Sequence, residues 1–201
     1  NLFQILPSDH WFSNSGHPSG GVMGGVVGVN DMQASFKLYK DILKYDKVLL
    51  DETGTFEDWA HLPGGDQTFR RVILVPSHPG TGGFASLMGP TRIELVQAMD
   101  RKGRFLFEDR IWADTGIVHL GFDIRGMKPL GKALGKEGFG FRCDSNEALN
   151  MGDHTRVHCT YIDDPDEAWI EMIEVHKIPI LQKFGLFLDV QKRSASQPLP
   201  R

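Results

Sequence analysis

The stretch Tyr161-Ile162-Asp163-Asp164-Pro165-Asp166-Glu167-Ala168-Trp169-Ile170-Glu171 holds the residues best placed to do chemistry. An Asp-Pro-Asp turn, in which Pro165 fixes its own φ and offers no ladder donor, hands over to a short apolar strand. On a period-2 strand Trp169, Glu171 and Ile173 share one side, while Ile170, Met172 and Glu174 share the other. A carboxylate between Trp and Ile on its own face is costly to bury unless something pairs with it. That partner is either a metal ion or an arginine. One further residue fits the same chemistry: Glu94, inward-facing in Arg92-Ile93-Glu94-Leu95-Val96-Gln97.

The elements that must position these residues fall into two halves. Val26 to Val29 reads as a strand, with Asn30 or Asp31 as helix cap, and Met32, Phe36, Tyr39 and Leu43 recur at helical spacing. Strands are expected at 46–51, 69–76 and 92–97. The second half repeats the order, with a strand over 117–124 and a helical face of Met127, Leu130 and Leu134. Strands near 139–143, 156–162 and 169–175 follow. Glu94 and Glu171 fall on the final strand of each half, so an internal duplication of βαβββ units is the simplest account. Gly- and Pro-rich insertions at 53–66 and 77–90 lengthen the first half and are candidate lids or dimer contacts. The expected segmentation is 1–20, an N-terminal segment read as the tail of a preceding module because Asn1-Leu2-Phe3-Gln4 looks like Ala168-Trp169-Ile170-Glu171. Then come 21–100, the first module, 113–176, the second, and 177–201, a tail packed against the outside.

Composition narrows the function classes. The chain has 201 residues, 40% hydrophobic, enough for a real core, and a net charge of −4 with acids and bases interspersed. No basic stripe points to nucleic acid, no run of ~18 apolar residues points to a membrane span, and no signal peptide is read at the start. Two cysteines, Cys143 and Cys159, form no CxxC and no expected disulfide, which suits a reducing, cytoplasmic setting.

The layout resembles the vicinal-oxygen-chelate superfamily, which includes glyoxalase I, methylmalonyl-CoA epimerase, fosfomycin-resistance proteins and extradiol dioxygenases. The resemblance rests on four pieces in order. Val29-Asn30-Asp31-Met32 with Ser35 through Leu43 is similar to the family's V-x-D then S-x-x-x-Y-x-x-x-L opening. Ile93-Glu94-Leu95, His119-Leu120-Gly121-Phe122 and Asp164-Pro165-Asp166 through Glu171 complete it. It covers roughly residues 22–175 and implies an α+β fold in which two βαβββ modules pair into a curved, open sheet around a metal and substrate cleft. Metal ligands in the family come from the first and last strand of each module. Carried over by position, the four slots are Gly24, Glu94, His119 and Glu171, Gly24 lying seven residues before Asp31 as His119 lies seven before Gly126.

Glycine offers no side-chain ligand, but one imidazole and two carboxylates suit a divalent Fe, Mn, Ni or Zn ion with positions open to substrate or water. His10, His17 or a water is the candidate for the missing ligand. Gly152-Asp153-His154 and Tyr161-Ile162-Asp163-Asp164-Pro165 are also similar to the extradiol-dioxygenase pattern. There His154 and Tyr161 would be acid/base groups beside iron, although Thr160 and Glu167 depart from it.

Plainer roles compete with these. Glu94 could pair with Arg92 or another base, and Tyr161 and His154 could be packing and hairpin residues. Arg70, Arg71 and Arg156 could hold a substrate carboxylate bidentately or simply line an exposed strand face. Gly131 through Lys136 lacks the spacing and the Ser/Thr of a phosphate loop and is read as helix-capping glycine. His61, His78 and His176 are read as loop residues without a role, and no Ser-His-Asp or Cys-His constellation is readable. The expectation is therefore a metal-dependent enzyme of glyoxalase type, a lyase or isomerase acting next to a carbonyl of a small oxygen-chelating substrate. Glu171 or Glu94 would be ligand and base. An Fe(II) extradiol dioxygenase and a non-catalytic, bleomycin-resistance-like binder are the alternatives, and the cleft closes within one chain or across a homodimer.

Overall fold

A computed structural model describes residues 23–85, 91–146, 149–152 and 155–192. The first half runs β1 (Gly24–Gly28), α1 (Met32–Phe36), β2 (Lys47–Gly54), β3 (Phe69–Val75) and β4 (Arg92–Ala98). Helix α1 starts where the sequence places its cap: the Asp31 carboxylate accepts from the N–H groups of Gln33 and Ala34. It continues as a wider, π-helical turn over Lys37–Ile42, closed by Leu43 N–H to Leu38 C=O. The strands order as β1-β4-β3-β2, with β1 parallel to β4 and the other pairs antiparallel.

The second half repeats this order with β5 (His119–Ile124), α2 (Met127–Lys136), the short β6 (Cys143–Asp144) and β7 (Leu149–Asn150), β8 (Arg156–Asp163) and β9 (Trp169–Leu181). Strand β5 runs parallel to β9, β9 pairs antiparallel with β8, and β6 and β7 both pair with β8. The strand expected near 139–143 is reduced to Cys143–Asp144, because the chain before it is spent on ending α2. Gly138 adopts φ 86° and the Phe139 N–H returns to the Leu134 carbonyl. Gly131 and Gly135 thus lie inside α2 rather than capping it, and Gly131 leaves room for Phe141, whose ring would stand 2.8 Å from an added Cβ. Beyond 176 the chain extends β9 to Leu181 and returns as β10 (Leu186–Asp189), antiparallel to it. His176 is therefore a strand residue, not a loop residue.

One core joins the halves. Val27, Met32, Leu38, Tyr39, Val72, Leu74, Ile93 and Leu95 pack in the same cluster as Met127, Leu134, Ile162, Ile170 and Met172. These residues occupy alternate positions of each strand, so Glu94 and Glu171, offset by one, point to the opposite face of their sheets. The Asp-Pro-Asp turn between β8 and β9 locks the halves together. Asp164 accepts from the Tyr39 hydroxyl at 2.8 Å, and Asp166 accepts from the backbone N–H of Asn30 and, at 2.7 Å, from its side-chain amide. Among the described residues no helix is long and apolar enough to cross a membrane.

Candidate functional site

The ladder register makes the four expected positions equivalent in pairs. Gly24 sits opposite Arg92 and His119 opposite Trp169, with Glu94 and Glu171 each two residues further on. The two halves nevertheless use these positions differently.

In the second half they converge. Glu171 lies in the ladder between Gly121 of β5 and Tyr161 of β8, and the missing side chain at Gly121 leaves its carboxylate open on that side. His119, two residues earlier on the same face of β5, brings Nε2 within 3.0 Å of Glu171 Oε2. The Cys159 thiol donates to Glu171 Oε1 at 3.2 Å, and Tyr161 stands directly across the ladder from Glu171. Burial, then the neighbouring Glu171 carboxylate, push the Cys159 thiol up to about 12 and raise the Tyr161 phenol well above its ordinary value. Both groups are therefore protonated at neutral pH, which removes Cys159 as a thiolate nucleophile.

An aromatic wall closes over this pair. Trp112, in the connection between the halves, stacks on the His119 ring at 5.2 Å with an interplanar angle of 15°. Trp112 also meets Trp169 and Tyr161 at 5.2 and 6.2 Å, and Phe107 packs on Trp169 at 4.5 Å. The other ring nitrogen of His119, Nδ1, is buried without a hydrogen-bond partner. Neither Trp112 nor Phe107 was singled out from the sequence. The apolar clusters Phe105-Leu106-Phe107 and Ile111-Trp112, set among the charged residues of the connection, were the readable signal.

In the first half the same positions are taken up otherwise. Gly24 has φ 152°, and a Cβ there would stand 1.6 Å from the Arg92 carbonyl oxygen, so no side-chain ligand fits without moving the backbone. Glu94 is buried and its Oε1 accepts from Arg71 Nε at 2.6 Å. The same guanidinium donates to Asp58 at 3.0 Å and lies over the rings of Trp59 and Phe56 at 4.2 and 4.6 Å. The 53–66 insertion thus folds its Glu57–Trp59 turn onto Arg71. Glu94 takes an arginine as partner, Arg71 rather than Arg92, and its Oε2 is buried with no hydrogen-bond partner. Arg70, on the other face of β3, pairs with Asp51 at 2.8 Å.

Of the expected site residues, His119, Glu171 and Tyr161 come together, and Glu94 stands apart on the first sheet. His154, His10 and His17 lie outside the described residues. The donor set accommodates a divalent ion in part: the His119 imidazole and the Glu171 carboxylate converge, the other nitrogen of that same imidazole is buried and unpartnered, and the Gly24 position is closed by backbone.

The fold is glyoxalase-like. A glyoxalase family protein from Bacillus cereus is similar over 81% of this chain and 99% of its own, at 13% identity and a TM-score of 0.58. A glyoxylase/bleomycin resistance protein/dioxygenase domain from Frankia sp. EAN1pec is similar over 78% of this chain and 98% of its own, at 21% identity and a TM-score of 0.50. No family model and no curated protein matches the sequence.

Proposed function

We propose that the chain is a metal-dependent enzyme of glyoxalase type, acting next to a carbonyl of a small oxygen-bearing substrate, with its centre at His119 and Glu171. The observation that carries this is the 3.0 Å approach of His119 Nε2 to Glu171 Oε2 on adjacent parallel strands, beneath the Trp112 ring. His119 and Glu171 would hold the ion, Glu94 becoming a third ligand only if Arg71 releases it. When bound, an Fe, Mn, Ni or Zn ion supplies Lewis-acid stabilisation for negative charge developing on substrate oxygens.

The chain's own residues supply the rest. A Glu171 carboxylate oxygen is the atom that takes a proton from carbon next to the carbonyl. Cys159, held protonated, orients that carboxylate by donating to it, and the protonated Tyr161 phenol stands across the ladder from it. Trp112, Trp169 and Tyr161 form an apolar wall that excludes water and packs the substrate's carbon skeleton.

The binder reading, in which the cleft holds a ligand without turnover, is supported by the closed Gly24 position and by the Glu94–Arg71 pair. The extradiol-dioxygenase reading keeps Tyr161 beside Glu171. Metal analysis of protein purified without added metal, followed by assays on thiol adducts of oxoaldehydes and on catechols, separates the three. Bound Ni or Zn with thiol-adduct turnover, lost in Glu171→Gln, is the expected result. Bound Fe with oxygen uptake on catechol points to the dioxygenase. No turnover, with ligand binding intact in Glu171→Gln, leaves the binder.

A further inference from the structure

On the opposite face of the second sheet from Glu171, three more metal-ligating side chains converge. His158 of β8 stands directly across the ladder from Glu174 of β9, and His176 follows Glu174 by two residues on the same face. One ligand atom from each of His158, Glu174 and His176 lies within 4.8 Å of the other two. We propose that these residues form a second, structural metal site, distinct from the His119–Glu171 pair, for a borderline divalent ion of the Zn(II) class.

The chemistry of the set fits such an ion. Two imidazoles and one carboxylate are ligands that Zn(II) takes at ~2.0–2.2 Å, which places neighbouring ligand atoms of a tetrahedron about 3.3 Å apart. His176 Nε2 and Glu174 Oε2 already stand 3.3 Å apart. His158 Nε2 is bonded to Asp144 Oδ1 at 2.6 Å, so its Nδ1 is the ring lone pair left to offer. A carboxylate behind a histidine that turns its other nitrogen to a metal is the arrangement that fixes tautomer and raises ligand basicity.

Glu174 is equally well held. Its Oε1 accepts from the Gly126 N–H and its Oε2 from the Met127 N–H at 3.3 Å, so the carboxylate is fixed before any ion arrives. Glu174 and Asp144 together carry two negative charges toward a dipositive ion. His158 and Glu174 are buried and His176 is half-buried, which leaves an entry path on the His176 side.

The ion would tie β8 and β9 to the start of α2, because Glu174 supplies the cap that Gly126 cannot. In the first half Asp31 does that work with its own side chain. The site is therefore particular to the second half.

The competing account is a network of two ion pairs, His158 with Asp144 and His176 with Glu174, with no metal. Binding separates the two. The full chain carrying His119→Ala and Glu171→Gln, stripped with a chelator and titrated with Zn(II) alone, is expected to bind one ion per chain. The melting temperature should rise on binding. Adding His176→Ala to that background is expected to abolish both effects, and adding Asp144→Asn to weaken Zn(II) binding by about 10–100-fold. Titration of the same proteins with Co(II) should give visible d–d bands only where His176 is present, a readout independent of stability. Circular dichroism of the unliganded His176→Ala chain checks that α2 persists, since Glu174 still caps it. No Zn(II) binding in the first variant, or undiminished binding and an unchanged Co(II) spectrum after His176→Ala, overturns the proposal.

Discussion

The Tyr39 hydroxyl donates to Asp164 Oδ2 at 2.8 Å across 125 positions of sequence, joining the helical segment of the first half to the β8–β9 turn of the second. Asp164 also accepts from the Asp166 and Ala168 N–H groups, so one buried carboxylate organises the turn that launches Glu171. The Tyr39-containing opening and the Asp-Pro-Asp turn, separate pieces in the sequence, are thus two sides of one contact. Tyr39→Phe should cost about 1.5–3 kcal/mol of stability, the range for a hydrogen bond to a charged group, measured by urea unfolding. An unchanged midpoint would show that the bond contributes nothing.

The same contact sets a pH dependence. Burial raises the Asp164 carboxyl above its ordinary value, and the bonds from Tyr39, Ala168 and Asp166 only partly offset this. A carboxyl raised in the folded state contributes stability that is fully present below its unfolded value of ~3.9 and is lost as pH rises through the folded value. Asp164→Asn removes that titration. Its loss of stability between pH 4 and pH 7 should be smaller than the parent's, and parallel curves would refute the assignment.

Arg71 and Glu94 form a buried pair at 2.6 Å, and removing one partner of such a pair typically costs about 3–5 kcal/mol. Arg71→Ala leaves the Glu94 carboxylate unpaired and should fall in that range. The double variant Arg71→Met, Glu94→Leu should recover most of the loss, because it buries no charge. If Arg71→Ala costs under about 1 kcal/mol, the pair belongs with exposed ion pairs instead.

Much of this architecture was readable from pattern. The alternation around Glu171 and the helical faces of Met32 to Leu43 and of Met127 to Leu134 carry the order of strands and helices in each half. Side-chain pairing across the sheet was not readable. Arg71 and Glu94 are 23 residues apart, and only the β3–β4 register sets them diagonally on one face. His158, Glu174 and His176 escaped for the same reason: period 2 puts Glu174 and His176 on one face, but nothing in sequence aligns His158 with Glu174. The extent of β9 was also missed, because Pro179 reads as a terminator, yet it pairs with Phe187 of β10.

The two thiols should differ in reactivity. Cys143 is exposed, whereas Cys159 is partly buried and its thiol is raised to about 12, first by burial and then by Glu171. At pH 8 a disulfide reagent should modify Cys143 quickly and Cys159 slowly, since the attacking species is the thiolate. Equal rates for the two thiols would remove Cys159 from its place under Glu171.

Gly24 decides whether the first sheet can ever contribute a ligand. At φ 152°, with the Arg92 carbonyl oxygen 1.6 Å from a notional Cβ, the position excludes every side chain while β1 keeps its register with β4. Gly24→His, the substitution that would restore a ligand by position, should instead destabilise the chain by about 1–3 kcal/mol through backbone strain. It should leave metal binding at His119 and Glu171 no tighter than in the parent. Gly24→Ala is the control, because it carries the strain without the imidazole and should lose a similar amount of stability. A Gly24→His chain that gains metal affinity at parental stability would show that β1 can shift to admit a fourth ligand, and the first sheet would then share in the chemistry.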